Sequence, residues 1–95
     1  MVVMARAKFK VIRIESSMGT KREFDGEGRE YWSPAEMRTI VLMPVFSSDP
    51  KSENAKFWAA SPSGEIKLGV INPEAWKEFE LDKEYYIDFT LCQNV

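Results

Sequence analysis

The stretch Lys8-Phe9-Lys10-Val11-Ile12-Arg13-Ile14 is the part of the sequence that most constrains the fold. Phe9 and Val11 are separated by a lysine, which is typical of a strand with one buried face because successive side chains point to opposite sides. The alternation then shifts by one residue, so that Arg13 falls on the formerly apolar side. Such a shift indicates a β-bulge or a bend. We therefore predict a long, bent strand over residues 7–15, as small barrels need to turn a corner.

Three further segments have the composition of strands. Residues 37–46 are almost continuously apolar, which favours a central strand with both faces covered. Within it, Pro44 cannot donate a ladder hydrogen bond and therefore marks an edge position or a bulge. Residues 65–71 and 84–91 alternate apolar with polar side chains, and we expect one buried face on each.

Residues 56–60, which carry Phe57 and Trp58, favour another short strand because aromatic side chains are enriched in strands. The following Ser61-Pro62-Ser63-Gly64 has proline and glycine at the positions that a tight turn prefers. We expect this turn to join residues 56–60 and 65–71 into a hairpin.

The sequence Asn72-Pro73-Glu74 is a helix-start signal. Asparagine caps the first free backbone amides, proline suits the first helical position, and glutamate favours the positive end of the helix. We predict one short helix from Pro73 to about Phe79, placed just before the last strand.

Residues 16–36 are polar, charged and rich in glycine, with no recognisable period. A loop of this length is uncommon inside a compact domain and is usually functional or mobile. We expect a long polar loop here, with a hairpin over part of it as the alternative.

The order of these elements predicts a single mainly-β domain over residues 1–95. Five strands with one short helix before the last strand favour a small five-stranded barrel, either OB-like (the OB-fold) or SH3-like. A two-layer α+β sheet with one helix is the third alternative.

The residue types present exclude most catalytic centres. The chain has no histidine and one cysteine, Cys92, so a Ser-His-Asp or Cys-His mechanism and a Cys/His zinc site within one chain are excluded. The acidic pairs Asp25 with Glu27 and Asp49 with Glu53 fit no EF-hand loop and are typical of ordinary surfaces. We expect no enzyme activity, no cofactor and no metal.

Charge and hydropathy bear on location and partners. The formal net charge is −2, yet seven basic side chains stand against four acidic ones through Arg29, whereas from Asn72 onward two basic stand against six acidic. The apolar stretch Met1–Ala5 is too short for a secretory signal or a membrane span. We expect a cytoplasmic protein without membrane association.

Nucleic-acid binding requires cations near the backbone and aromatic side chains on which bases stack. The candidate residues for binding nucleic acid or another partner are Lys8, Lys10, Arg13, Tyr31, Trp32, Trp58 and Tyr86. Trp58 follows Phe57 and is more often a core residue in this setting, whereas Tyr86 faces away from Tyr85 and should be about half exposed. Aromatic residues in a polar loop, such as Tyr31 and Trp32, are typical of an interface.

Five segments resemble small uncharacterised proteins of tailed bacteriophages: Lys8–Val11, Phe57–Trp58, Ser61–Gly69, Asn72–Ala75 and Lys83–Thr90. The resemblance implies a compact β domain and a viral accessory protein that acts in the cytoplasm of a bacterial host, and it carries over no catalytic residue. Those proteins often have glycine where this chain has Asp82. A second, weaker resemblance is between Glu74–Phe79 with Asp82–Tyr85 and the C-terminal helix, turn and strand of single-stranded-DNA-binding OB domains.

Two hypotheses follow for a non-enzymatic binding module. Protein interaction leads as a class, but single-stranded nucleic acid is the best-supported single partner, favoured by the architecture, the basic first strand and the loop aromatics, although the acidic total opposes it. The alternative is a protein-interaction accessory protein, either an inhibitor of a host factor or a virion component. The remaining hypothesis is a structural role, in which the protein forms a homo-oligomer by pairing of edge strands.

Overall fold

The backbone forms a single antiparallel sheet with two short helices. A computed structural model describes residues 5–92, so the apolar stretch considered above lies almost wholly outside the described residues. The elements are β1 (Ala5–Phe24), β2 (Glu30–Pro44), α1 (Glu53–Trp58), β3 (Ile66–Val70), α2 (Pro73–Trp76) and β4 (Glu84–Phe89). The strands lie in the order β3-β2-β1-β4.

The mainly-β prediction is confirmed, but the five-stranded barrel is wrong. Over residues 5–92 the sheet has four strands, and β3 and β4 are its outer strands, so the sheet is open. The missing fifth strand is residues 56–60, which belong largely to α1. The architecture is closest to the third alternative, a sheet with helices on one face.

The predicted irregularity in β1 is confirmed as a β-bulge. The pairing with β2 shifts between Val11, opposite Leu42, and Arg13, opposite Val41. At the same point β1 leaves its other neighbour: the Asp82 N–H donates to the Val11 carbonyl at 2.8 Å just before β4 begins. The bulge therefore marks where the sheet narrows from four strands.

The two faces of the sheet differ in what covers them. On the helical face, the buried side chains are Ala7, Phe9, Val11, Ile40 and Leu42. Trp58, Trp76 and Phe79 pack against this cluster, so both helices and the segment after α2 cover one side. The other side, which we call the open face, carries the alternate residues of the same strands.

The segment expected to be a strand around Phe57 is the helix α1. The Ser52 side chain accepts a hydrogen bond from the Ala55 N–H at the start, and Ala59, with φ +54°, ends the helix in the left-handed conformation. Phe57 and Trp58 favoured a strand only by their intrinsic propensity. The capped helix forms instead because it packs Trp58 on Phe9, with ring centroids 6.0 Å apart.

Asn54 ties α1 to the sheet. Its side chain is almost fully buried, accepts the Lys8 N–H at 2.6 Å, and donates to the carbonyls of Lys8 and Val45, each at 2.7 Å. The amide is thus inserted between β1 and the chain that follows β2. It satisfies backbone groups that would otherwise be costly to bury.

The helix start at Asn72 is confirmed, because the Asn72 side chain accepts the Glu74 N–H at 3.0 Å. However, α2 ends at Trp76, earlier than predicted. The chain beyond it is held differently: the Tyr85 hydroxyl donates to the Glu78 carbonyl and accepts the Glu80 N–H.

The long polar loop predicted over residues 16–36 is wrong, and the hairpin alternative is correct. β1 and β2 remain paired residue by residue out to Phe24 opposite Glu30. Because β3 pairing reaches only Arg38, residues 17–37 form a two-stranded projection, which we call the arm. Alternation was absent from this sequence because neither face of the arm packs on a core.

We predict that Asn54→Ala destabilises the protein by about 2–3 kcal/mol, because the Lys8 N–H and the Val45 carbonyl lose their buried partner. Asn54→Asp should be at least as harmful, since a carboxylate would face two carbonyl oxygens. Chemical denaturation followed by circular dichroism measures both. Equal stability of the wild type and Asn54→Ala would contradict the role assigned to this side chain.

Candidate functional site

The arm projects beyond the four-stranded part of the sheet. The whole molecule extends over 57 × 35 × 18 Å, and residues 17–37 have no flanking strand among the described residues. A two-stranded hairpin without a covering layer is only marginally stable by itself. What its side chains contact is therefore informative about its role.

The tip of the arm is a well-defined turn over residues 25–29. The Asp25 carboxylate accepts the backbone N–H groups of Glu27 and Arg29 at 2.8 and 2.9 Å, and also the Arg29 guanidinium. The hydrogen bonds from the Arg29 and Glu27 amides hold the pKa of Asp25 below its usual value. Gly28 adopts φ +82°, a conformation that favours glycine.

One face of the arm carries exposed apolar side chains. Strand register places Met18, Phe24, Trp32 and Pro34 on the side of the arm that continues the helical face. Met18 is 73% exposed, Trp32 60% and Phe24 58%. We call these four residues the apolar strip. No helix of the described chain covers it.

Tyr31 lies on the opposite face of the arm from Trp32. It is paired with Glu23, is 47% exposed, and shares its face with the Lys21–Glu23 ion pair at 3.7 Å. The two adjacent aromatic residues predicted as one interface therefore point to different sides. Trp32 belongs to the apolar strip and Tyr31 does not.

The base of the arm is anchored on both faces. On the helical face, the Arg38 guanidinium lies 3.6 Å from the Trp76 ring centroid, and Glu36 accepts hydrogen bonds from Ser16 and Arg38. These hydrogen bonds, that from Ser16 first, lower the pKa of Glu36. On the other face, a side chain at Gly19 would meet Met37 at 3.2 Å, so glycine permits close packing there.

The open face of the sheet gathers the basic residues of β1 around Tyr86. The Arg6 guanidinium and the Lys8 ammonium lie 4.9 and 5.3 Å from the centroid of the Tyr86 ring, which is 53% exposed. Arg6 also donates twice to Asp88, at 2.6 and 3.0 Å. This hydrogen bonding lowers the pKa of Asp88 and raises the pKa of Arg6.

Lys10 and Arg13 lie further along the same face. Lys10 is opposite Glu84 and Met43, and Arg13 pairs with Glu15 at 3.4 Å. Each basic residue of this surface thus has an acidic neighbour, as Lys8 also does in Glu84 at 3.9 Å. The basic character is therefore largely compensated within the sheet.

The structure divides the predicted binding residues into three groups. Lys8, Lys10, Arg13 and Tyr86 share the open face. Trp58 is on the helical face, where it packs on the core and donates its indole N–H to the Ser63 carbonyl at 2.9 Å. Tyr31 and Trp32 are near the tip of the arm, at the opposite end of the β1–β2 ladder from the open-face group.

Phe24, Met18 and Arg6 were missed by the sequence reasoning. The Asp25-Gly26 dipeptide after Phe24 is a recognised hairpin signal. The observed loop is longer and centred on Glu27, which places Phe24 and Trp32 on one face, whereas a two-residue Asp25-Gly26 loop would have placed Tyr31 there instead. Arg6 lies one alternation step before Lys8 and was available from the same pattern.

The described residues form neither a metal-binding cluster nor a membrane-spanning helix. Over residues 5–92, no group of three or more His, Cys, Asp or Glu side chains is arranged to hold a metal ion. None of the helices in this range has the length and apolar character required to cross a bilayer. Cys92 is exposed beyond the end of β4.

Comparison with protein-family models, with curated proteins and with solved structures finds no match to this chain.

We predict that the tip of the arm loosens in acid. The folded-state pKa of Asp25 lies below its unfolded value, so its contribution is present above the unfolded pKa and is lost as the pH falls through the folded one. Protection of the Arg29 amide against hydrogen exchange, relative to the intrinsic rate at each pH, should therefore fall between about pH 7 and about pH 2.

The matched variant is Asp25→Asn, which keeps an acceptor oxygen but cannot titrate. It should keep the turn and remove the acid-dependent loosening. The same loosening in wild type and Asp25→Asn would show that another group is responsible.

Proposed function

We propose that this chain is a non-enzymatic protein-interaction module that docks through the apolar strip of the arm. The observation that carries the proposal is the exposure of Trp32, Phe24 and Met18 on one face of a projecting hairpin. Tryptophan and phenylalanine at such positions are typical anchors of protein interfaces.

The strip has no structural role that the described residues reveal. The core cluster consists of β1 and β2 residues near the base of the hairpin and of the side chains that pack on them. None of the four residues of the apolar strip belongs to it. Exposing large apolar groups gives no folding free energy. A grouped and exposed set of large apolar side chains is therefore best explained by a partner that covers it.

The charges around the strip suit a protein partner better than a polyanion. Lys21, Arg22 and Arg29 are interspersed with Glu23, Asp25, Glu27 and Glu30. A surface of mixed sign has little long-range attraction for a phosphate backbone, but it can provide the polar rim of a protein interface. The resemblance to small phage proteins is consistent with an accessory protein of this type.

The test is affinity capture from a bacterial lysate, identification of the captured protein, and titration of that purified protein against variants. Trp32→Ala and Phe24→Ala should each weaken binding at least tenfold, since central aromatic anchors contribute about 2 kcal/mol or more. Folding should be unaffected because neither side chain is in the core.

Phe46→Ala is the matched control. Phe46 is 70% exposed and follows the base end of β2, so its removal should leave the titration unchanged. If Trp32→Ala binds the captured protein as tightly as wild type does, the strip is not the docking surface.

Binding of single-stranded nucleic acid to the open face is the second candidate. It is favoured by one observation, the half-exposed Tyr86 ring flanked by Arg6 and Lys8. An aromatic face beside two cations is what base stacking and phosphate contact require. The compensating carboxylates of Asp88 and Glu84 oppose it.

A titration with a fluorescent oligonucleotide at several salt concentrations tests this candidate. Binding should weaken steeply with salt, because counterions are released, and the double variant Lys8→Glu/Lys10→Glu should abolish it. The control Lys51→Glu/Lys77→Glu makes the same change of charge in the loop before α1 and just after α2, outside the open-face group. Absence of binding at low salt, or equal loss in both variants, would remove the open face as a nucleic-acid site.

A further inference from the structure

β1 has a long unpaired edge. Its last backbone hydrogen bonds on the β4 side are those of Val11 with Asp82 and Lys83, immediately before the bulge. Over residues 12–24 no described strand lies beside it. A free edge of this kind is a template for pairing with another strand.

The equivalent edge of β2 is blocked. The Asp25 N–H donates to the Arg29 carbonyl, and because hydrogen-bonded and non-hydrogen-bonded pairs alternate along the ladder, Thr20 and Pro34 form a non-hydrogen-bonded pair. The Pro34 nitrogen therefore points outward, where it has no hydrogen to donate. The β1 edge contains no proline. Only one edge of the arm is thus suited to strand pairing.

The charges along β1 are complementary to themselves. Register and bulge place Arg13, Glu15, Lys21 and Glu23 on the open face. Their order is positive, negative, then positive, negative, with Met18 at the centre. An antiparallel pair of such strands centred on Met18 places Glu15 opposite Lys21 and Arg13 opposite Glu23. Both contacts join opposite charges.

We propose that two copies of this chain associate through their β1 edges, antiparallel, with the two-fold axis at Met18. On this edge the odd-numbered residues form the non-hydrogen-bonded pairs, whose side chains approach most closely. Both complementary charge pairs fall in that class. The two Met18 side chains, each 73% exposed, meet at the axis on the helical face.

Neighbouring registers are disfavoured by like charges. Moving the axis to Ser17 places Arg13 opposite Lys21, and moving it to Gly19 places Glu15 opposite Glu23. Like charges directly opposite one another destabilise a strand pair. The charge order therefore selects one register, which is the observation that favours a second copy over an unrelated strand.

This dimer does not depend on the proposed docking function, because it is held by the backbone edge and the charges of β1 and shares only Met18 with the apolar strip. Sedimentation velocity of the full chain from about 1 to about 100 µM should show a monomer–dimer equilibrium. Thr20→Pro removes an outward N–H that pairs with Ser16 of the second copy, and should weaken the dimer at least tenfold.

Glu30→Pro is the matched control, because it places a proline at an outward-facing position of β2 instead. It should leave the equilibrium unchanged, as should Trp32→Ala, which tests docking but not dimerisation. Thermal unfolding checks that Thr20→Pro remains folded.

The charge pattern permits a test whose expected result, recovery of dimerisation on mixing two variants, cannot arise from unfolding of either one. Glu15→Lys and Lys21→Glu each place like charges opposite one another, and each alone should dimerise about tenfold more weakly than wild type. An equimolar mixture restores opposite charges in a heterodimer and should regain affinity to within about twofold of wild type. A monomeric wild type at about 100 µM, or a mixture no stronger than its separate components, overturns the proposal.

Discussion

The uninterrupted pairing of β1 with β2 is the constraint on which the rest of this structure depends. The two strands stay in register from Phe9 opposite Pro44 to Phe24 opposite Glu30, with one bulge. Their outer neighbours, β3 and β4, are much shorter and attach only near the base. The same hairpin is therefore the centre of a packed sheet at one end and an unsupported arm at the other.

The base end is where stability is concentrated. The buried cluster on the helical face lies there, Asn54 joins α1 to the backbone of β1, and Arg38 stacks on Trp76 where the arm begins. Each contact fixes a helix or turn relative to the hairpin rather than to another helix. The direction of the arm is consequently set by the ladder and by the contacts at its root.

Local signals allowed much of the base to be predicted, and the absence of a core prevented the rest. The phase shift near Val11, the cap at Asn72 and the alternation of β4 are each encoded within a few residues. The arm could not be recognised by alternation, since both of its faces meet solvent, and α1 was mistaken for a strand because Phe57 and Trp58 have strand propensity. The wrong prediction of a closed barrel followed from that error, because the barrel required a fifth strand. At the candidate site, the grouping of Lys8 with Tyr86 was accessible to this reasoning, whereas the separation of Tyr31 from Trp32 required the register.

Under the proposed docking function, the division between base and arm also separates stability from recognition. Residues that hold the fold, such as Phe9 and Asn54, are buried at the base, whereas Trp32 and Phe24 contribute exposed surface to a hairpin whose pairing is carried by its backbone. Substitutions of these arm side chains can therefore change the exposed surface at little cost to folding. The converse holds for the open face, where Arg6 and Lys8 serve both the Tyr86 contact and the ion pairs across β1 and β4. A surface whose charges are already engaged in the sheet is a less adaptable binding site than one whose side chains are free, and this difference favours the arm as the element that recognises a partner.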